Sequence, residues 1–150
     1  LMIERPGALV ERFVDAGSGA VSFHWEAMRD GHEELIDRIK ALGCAAGLAV
    51  NPATPLSKVS HLLDRLDLLL VMTVVPGFGG QKLMTEAISK IDEASRLKKD
   101  KKYSYVIEVD GGITTDNAAS VRKAGGRILV AGTAVFGSGD YARAIAALRG

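Results

Sequence analysis

Apolar residues fall into two alternating patterns along this chain. Unbroken apolar runs, such as Ala45–Val50 and Leu66–Val74, predict buried strands. Between them, apolar positions recur every three or four residues, as at Leu35, Ile36, Ile39 and Leu42, which predicts amphipathic helices. Strands are predicted over Leu1–Ile3 (the end of one), Ala20–Phe23, Ala45–Val50, Leu66–Val74, Tyr105–Val109 and Arg127–Val130. Helices are predicted over Ala8–Ala16, Glu33–Leu42, Thr54–Asp64, Thr85–Lys99, Thr115–Ala124 and Tyr141–Leu148. Pro6 and Pro55 suit the first turns of helices, and Gly17, Gly43 and Gly125 suit their ends. Strands and helices alternate strictly, and the strands are apolar throughout. This predicts a parallel α/β architecture with strands covered on both faces.

About six strand–helix units are expected in one domain over residues 1–150. Two designs fit. A doubly wound sheet of this length would be complete. A closed (β/α)8 barrel has about 250 residues, so this chain would lack about two units. Glycine-rich loops after several strands favour the barrel, whose strand C-termini converge on one mouth. A doubly wound sheet gathers its site at one switch point.

Composition narrows the function. The chain has 150 residues, 47% of them hydrophobic, enough for a real core. A net charge of +1 with mixed signs excludes the basic footprint of a nucleic-acid binder. No apolar run is long enough to cross a membrane. The single cysteine, Cys44, rules out an internal disulfide and reads as a small buried hydrophobe in a reducing, cytoplasmic setting. The run Lys98-Lys99-Asp100-Lys101-Lys102 reads as a solvated helix end whose positive charge complements the helix dipole.

The candidate chemistry lies at three strand ends. The strand ending near Val74 opens into Val75-Pro76-Gly77-Phe78-Gly79-Gly80-Gln81. This is neither a Walker A loop nor a dinucleotide fingerprint. Gly77, Phe78, Gly79 and Gly80 can aim main-chain N–H groups at a phosphate, or simply make a tight turn into a helix. The next strand ends in Asp110-Gly111-Gly112, and the last in Gly132-Thr133. Their recurrence favours one phosphate site built at one end of the sheet. Asp110 is costly to bury there unless paired, metal-bound or catalytic, and could abstract a proton next to a carbonyl or bind a metal. Thr114 or Thr115 is the expected cap of the helix that follows. His24 and Glu26 are read as a satisfied polar pair on one face of their strand, with metal ligation as the alternative. Glu108 is expected as a polar group inside the barrel. His32 and His61 are expected to face solvent.

These motifs carry a family resemblance. Val71-Met72-Thr73-Val74-Val75-Pro76-Gly77-Phe78-Gly79-Gly80-Gln81-Lys82 resembles the sixth-strand motif of ribulose-phosphate 3-epimerases. Glu108–Ile113 and Val130–Phe136 are similar to the seventh and eighth, and Phe23–Ala27 and Gly47–Pro55 to the fourth and fifth. The resemblance implies a (β/α)8 TIM-barrel type fold, incomplete in this chain, with the two N-terminal units missing. It implies interconversion of ribulose 5-phosphate and xylulose 5-phosphate, a pentose phosphate pathway step. A proton moves at carbon 3 between two aspartates through an enediolate, with one divalent metal, commonly zinc, holding the oxyanion.

By position, the resemblance makes Asp110 one acid–base group and a metal ligand. Gly77–Gly80, Gly132 and Thr133 would hold the phosphate, with threonine standing where the family usually has serine. Gly111 and Gly112 would line the substrate, and Met2 and Met72 would form an apolar wall. The family's second aspartate and its metal-binding histidines have no counterpart here, and the bare chain is expected to be almost inactive. Open sheet edges predict a homo-oligomer. The competing readings are a hexulose-phosphate 3-epimerase and a non-catalytic phosphate-binding half-barrel.

Overall fold

The computed structural model describes residues 1–150. Helix α1 (Val10–Asp15) precedes strand β1 (Ala20–His24), and α2 (His32–Ala41) precedes β2 (Ala45–Val50). Strand β3 (Leu68–Met72) leads to α3 (Glu86–Lys101), β4 (Val106–Asp110) to α4 (Ala118–Ala124). Strand β5 (Ile128–Val130) is followed by the short α5 (Thr133–Phe136) and by α6 (Tyr141–Arg149). All neighbouring strands are parallel, in the order β1-β2-β3-β4-β5. Each crossover therefore adds the next strand on the same side, which keeps all strand C-termini at one edge.

The sheet has five strands, one fewer than the pattern predicts. Leu1–Ile3 forms no strand; only the terminal ammonium reaches β1, by donating to the carbonyl of Ser22. One hydrogen bond does not hold three residues in a ladder. The predicted helix over Thr54–Asp64 is also absent. Two 3-10 turns, Leu56–Lys58 and Leu63–Arg65, stand in its place. The reason lies in the spacing. Leu56, Val59, Leu62 and Leu66 are fully buried, and the first three recur every third residue. Side chains three apart line up in a 3-10 turn, not in an α-helix. The N–H groups of Val59, Leu62 and Arg65 accordingly donate to the carbonyls of Leu56, Val59 and Leu62.

The two faces of the sheet differ. Val21, Phe23, Ala46, Leu48, Val50, Leu69, Val71, Ile107 and Val109 point to the helices and join one core cluster with Ile36, Ile39, Ile91 and Val121. The opposite face holds a small separate cluster of Ala49, Leu70, Met72 and Val74. Register places His24, Ala49, Leu70, Glu108 and Ile128 in one row on that face, with Met72, Asp110 and Val130 in the row nearer the strand C-termini. Continuous burial of both faces, expected from the apolar runs, therefore holds for β2 and β3 only. In β4 burial alternates, and Ile128 and Val130 of β5 are exposed.

Cys44 is buried, as expected, and its thiol donates to the carbonyl of Ser18 (2.8 Å). Lys98, Lys99 and Lys101 occupy the last turn of α3, where they complement the helix dipole.

Candidate functional site

The three glycine-rich strand ends meet. Met2, Met72, Gly77, Phe78, Gly79, Gly80, Asp110, Gly111, Gly112, Gly132 and Thr133 all line one cavity of about 900 Å³. Every residue singled out from the sequence for this site is in it. The hydrogen bonds explain how the walls are set. None of the N–H groups of Gly77, Phe78, Gly79, Gly80, Gly132 and Thr133 donates to a carbonyl of the chain. Free amides facing a cavity attract anions. Phe78 stands at the rim, 73% exposed.

The loop after β3 is held by a side chain that sequence reasoning gave no role. Gln81 Nε2 donates to the carbonyls of Val75 (2.8 Å) and Phe78 (2.9 Å), stapling the loop to itself. The loop then lies on Gly112, whose φ is +63°. A Cβ at Gly112 would come within 2.2 Å of Leu83 N and 2.8 Å of Gln81 O. This is the close backbone approach that glycine alone permits.

Thr73 joins the other pair of strand ends. It is fully buried, its N–H donates to the carbonyl of Asp110 (2.8 Å), and its hydroxyl reaches the carbonyls of Asp110 and Gly111. Asn117, not Thr114 or Thr115, secures the turn before α4. It accepts from Thr114 N (2.9 Å) and donates to the carbonyl of Gly112 (2.8 Å). Asn117 is the N-cap residue of α4, but its side chain bonds back to the preceding turn and not to the helix N–H groups.

Asp110 is half-buried at the end of β4, and burial pushes its carboxyl above the usual range, opposed by the nearby His24. Glu108, one row lower on the same face, is pushed up by burial and then by the charge of Asp110. Its place on the inner face agrees with expectation.

The His24–Glu26 pair differs from its sequence reading. Glu26 lies beyond β1, in a 3-10 turn over Trp25–Ala27. Burial works against its charge, but interactions with His24 (Nδ1 3.6 Å away), the Thr54 hydroxyl and Asn51 N win, holding it at about 2. His24 is only partly satisfied: its Nε2 is buried with no partner. Lys90 of α3 completes this corner. Its ammonium donates to the carbonyls of Asn51, Pro52 and Thr54 at 2.6–2.7 Å and ties the loop after β2 to the helix layer. His32 is half-buried, bonded to the carbonyl of Trp25 (2.9 Å) and stacked on its ring, so it does not face solvent freely. His61 is exposed.

A pH prediction follows from Glu26. Its carboxyl sits lower in the folded chain than its unperturbed 4.5, so the stability it contributes is present above about 4.5 and lost as pH falls toward 2. The Glu26→Gln variant should be less stable than the parent at pH 7, by about 1–3 kcal/mol. The gap should shrink on acidification to pH 3. Urea unfolding at both pH values measures it, and an equal gap at both contradicts the assignment.

No three His, Cys, Asp or Glu side chains converge into a set able to hold a metal ion. Asp110 is the lone carboxylate lining the cavity. The residues of this chain do not by themselves build the metal centre that the family resemblance implies. No helix is long and apolar enough to cross a membrane.

Parallel strands, helices on one face and glycine-rich loops around a cavity at the strand C-termini define an α/β protein of the TIM-barrel kind. The fold is shared with 3-hexulose-6-phosphate synthase, at a TM-score of 0.67 and 17% identity over 99% of this chain and 69% of that one. It is shared also with the tryptophan synthase α-subunit of Pyrococcus furiosus, at 0.66 and 14% identity over 95% of this chain and 57% of that one. The chain belongs to the ribulose-phosphate 3-epimerase family, which it matches over residues 1–136. It is 44% identical over 150 residues to the chloroplastic ribulose-5-phosphate-3-epimerase of Arabidopsis thaliana, covering 99% of this chain and 53% of that protein. It is 44% identical over 151 residues to the ribulose-phosphate 3-epimerase of Bacillus subtilis (strain 168), covering 100% of this chain and 69% of that protein. The chain thus spans about half the length of the plant relative and about two thirds of the bacterial one.

Proposed function

We propose that this chain supplies the phosphate-binding and one acid–base half of a site that interconverts D-ribulose 5-phosphate and D-xylulose 5-phosphate, an isomerisation in cytoplasmic pentose phosphate metabolism. The single observation that carries this reading is the shared cavity, with Asp110 on its inner wall and two sets of unpaired amides around it. The phosphate rests on the N–H groups of Gly77–Gly80 and of Gly132 and Thr133, with the Thr133 hydroxyl beside it. This leaves the ketose carbons directed toward Asp110 and Gly111-Gly112. Met2 and Met72 give the reacting carbons an apolar wall.

Asp110 takes the proton from carbon 3. The C–H electron pair moves into a C2–C3 double bond and the carbonyl pair onto the C2 oxygen, giving an enediolate. Inversion needs a proton delivered to the opposite face, and this cavity holds no second carboxylate to donate it; return from Asp110 restores the starting ketose, with exchange at carbon 3. A carboxyl raised by burial is a better base for this than an ordinary aspartate, because its conjugate acid lies nearer the working pH. A divalent metal would stabilise the C2 oxyanion in this family, with Asp110 as one ligand. The remaining ligands are not among the residues of this cavity, so no step here runs through it. A single core cluster running from Val10 to Leu148 supports reading residues 1–150 as one domain.

The test uses D-ribulose 5-phosphate in deuterated water. With one carboxylate in the cavity, exchange at carbon 3 reports more directly than completed inversion. Deuterium at carbon 3, followed by mass spectrometry or NMR, is expected. Neither exchange nor binding of the sugar phosphate would overturn the reading.

A further inference from the structure

One basic residue lines the cavity. Among the residues that line it, only Lys82 and Asp110 have acidic or basic side chains. Its other polar groups are neutral hydroxyls, amides and main chain. A phosphate ester is doubly charged near neutral pH, and Asp110 in the same cavity repels it. Main-chain amides offset part of that repulsion; a cation offsets it directly. Lys82 is free to do so, for it is exposed and lies in no ion pair with any carboxylate of the chain.

The main chain at Lys82 is also well anchored. Gln81 staples the preceding loop, and Gly112 lies against the backbone of Gln81, Lys82 and Leu83. Two residues on, Met84 N donates to the carbonyl of Thr73 (2.8 Å). The stem of Lys82 therefore leaves from a fixed point between the Gly77–Gly80 loop and Gly111-Gly112. We propose that Lys82 selects for charge in this cavity: its ammonium is the countercharge of the substrate's phosphate and sets the preference for phosphorylated over neutral ketoses. This rests on the sugar-phosphate reading and adds a residue to it.

The experiment titrates the folded chain with inorganic phosphate and follows the amide NMR signals of Gly79 and Gly132. Lys82→Gln should weaken binding about 3–10-fold in low salt. Lys82→Arg, which keeps the charge, should stay within about twofold of the parent. Lys101→Gln removes the same charge at the far end of α3 and should change nothing. The difference between parent and Lys82→Gln should close in about 1 M salt, where the screening length is about 3 Å. Parent-like binding by Lys82→Gln at low salt overturns the proposal, as does an equal loss in Lys101→Gln or in Lys82→Arg. In those cases the phosphate site itself stands. If phosphate moves neither amide signal in the parent, the sugar-phosphate reading falls and the role of Lys82 falls with it.

Discussion

Asp110→Asn is expected to lower deuterium exchange at carbon 3 of D-ribulose 5-phosphate by about 10²–10⁴-fold. Asparagine matches aspartate in shape but has no basic oxygen. The carbonyl of residue 110 still accepts from Thr73, because that contact is made by main chain. The fold should therefore survive. It should even gain slightly, since a half-buried carboxylate pushed up by burial costs stability when ionised. The sign is the reverse of that for Glu26: a raised acid favours the folded state at low pH, and the contribution is lost as pH rises. Phosphate binding should be kept or strengthened, because a repelling charge is gone. Exchange within about threefold of the parent, in a variant of unchanged melting temperature, would remove Asp110 from the chemistry.

The second large effect is structural. Gly112→Ala should lower stability by about 2–4 kcal/mol and abolish measurable phosphate binding. Two costs add. The left-handed backbone at φ +63° is unfavourable for any L side chain, by about 1–2 kcal/mol. The new Cβ also overlaps Leu83 N at 2.2 Å, and that neighbour is main chain, which cannot rotate away. The loop carrying Gly77–Gly80 must then shift as a body, because Gln81 holds it together. Gly79→Ala is the control. A Cβ there meets nothing within 4 Å, so stability should barely change. Thermal unfolding and a phosphate titration read both variants. A Gly112→Ala protein as stable as the parent would show that the loop does not lean on Gly112.

Much of the site was legible because it is local. A strand that ends in Asp110-Gly111-Gly112, or in Pro76-Gly77-Phe78-Gly79-Gly80, announces a turn whose backbone can come close to a ligand. That these turns share one cavity follows from parallel strands, which put all C-terminal ends on one side. The residues that were missed act over distance in sequence. Lys90 bonds to carbonyls 36–39 residues before it, and Thr73 to carbonyls 37 and 38 residues after it. Nothing in the local pattern around either marks such a partner. The 3-10 segment differs in kind: Thr54-Pro55 is a helix start signal and predicts a helix, while the every-third-residue spacing of Leu56, Val59 and Leu62 that follows suits 3-10 turns.

By itself the sequence determined five of the strands, the helices outside Thr54–Asp64, the parallel α/β class and the position of the glycine turns, because hydrophobic period and turn chemistry act within a few residues. Tertiary structure alone decided which sheet face carries Asp110, how His24, Glu26 and Lys90 join the loop after β2, and that the loop at Gly77–Gly80 rests on Gly112. Those outcomes depend on register and on contacts between segments tens of residues apart, and no local pattern encodes them.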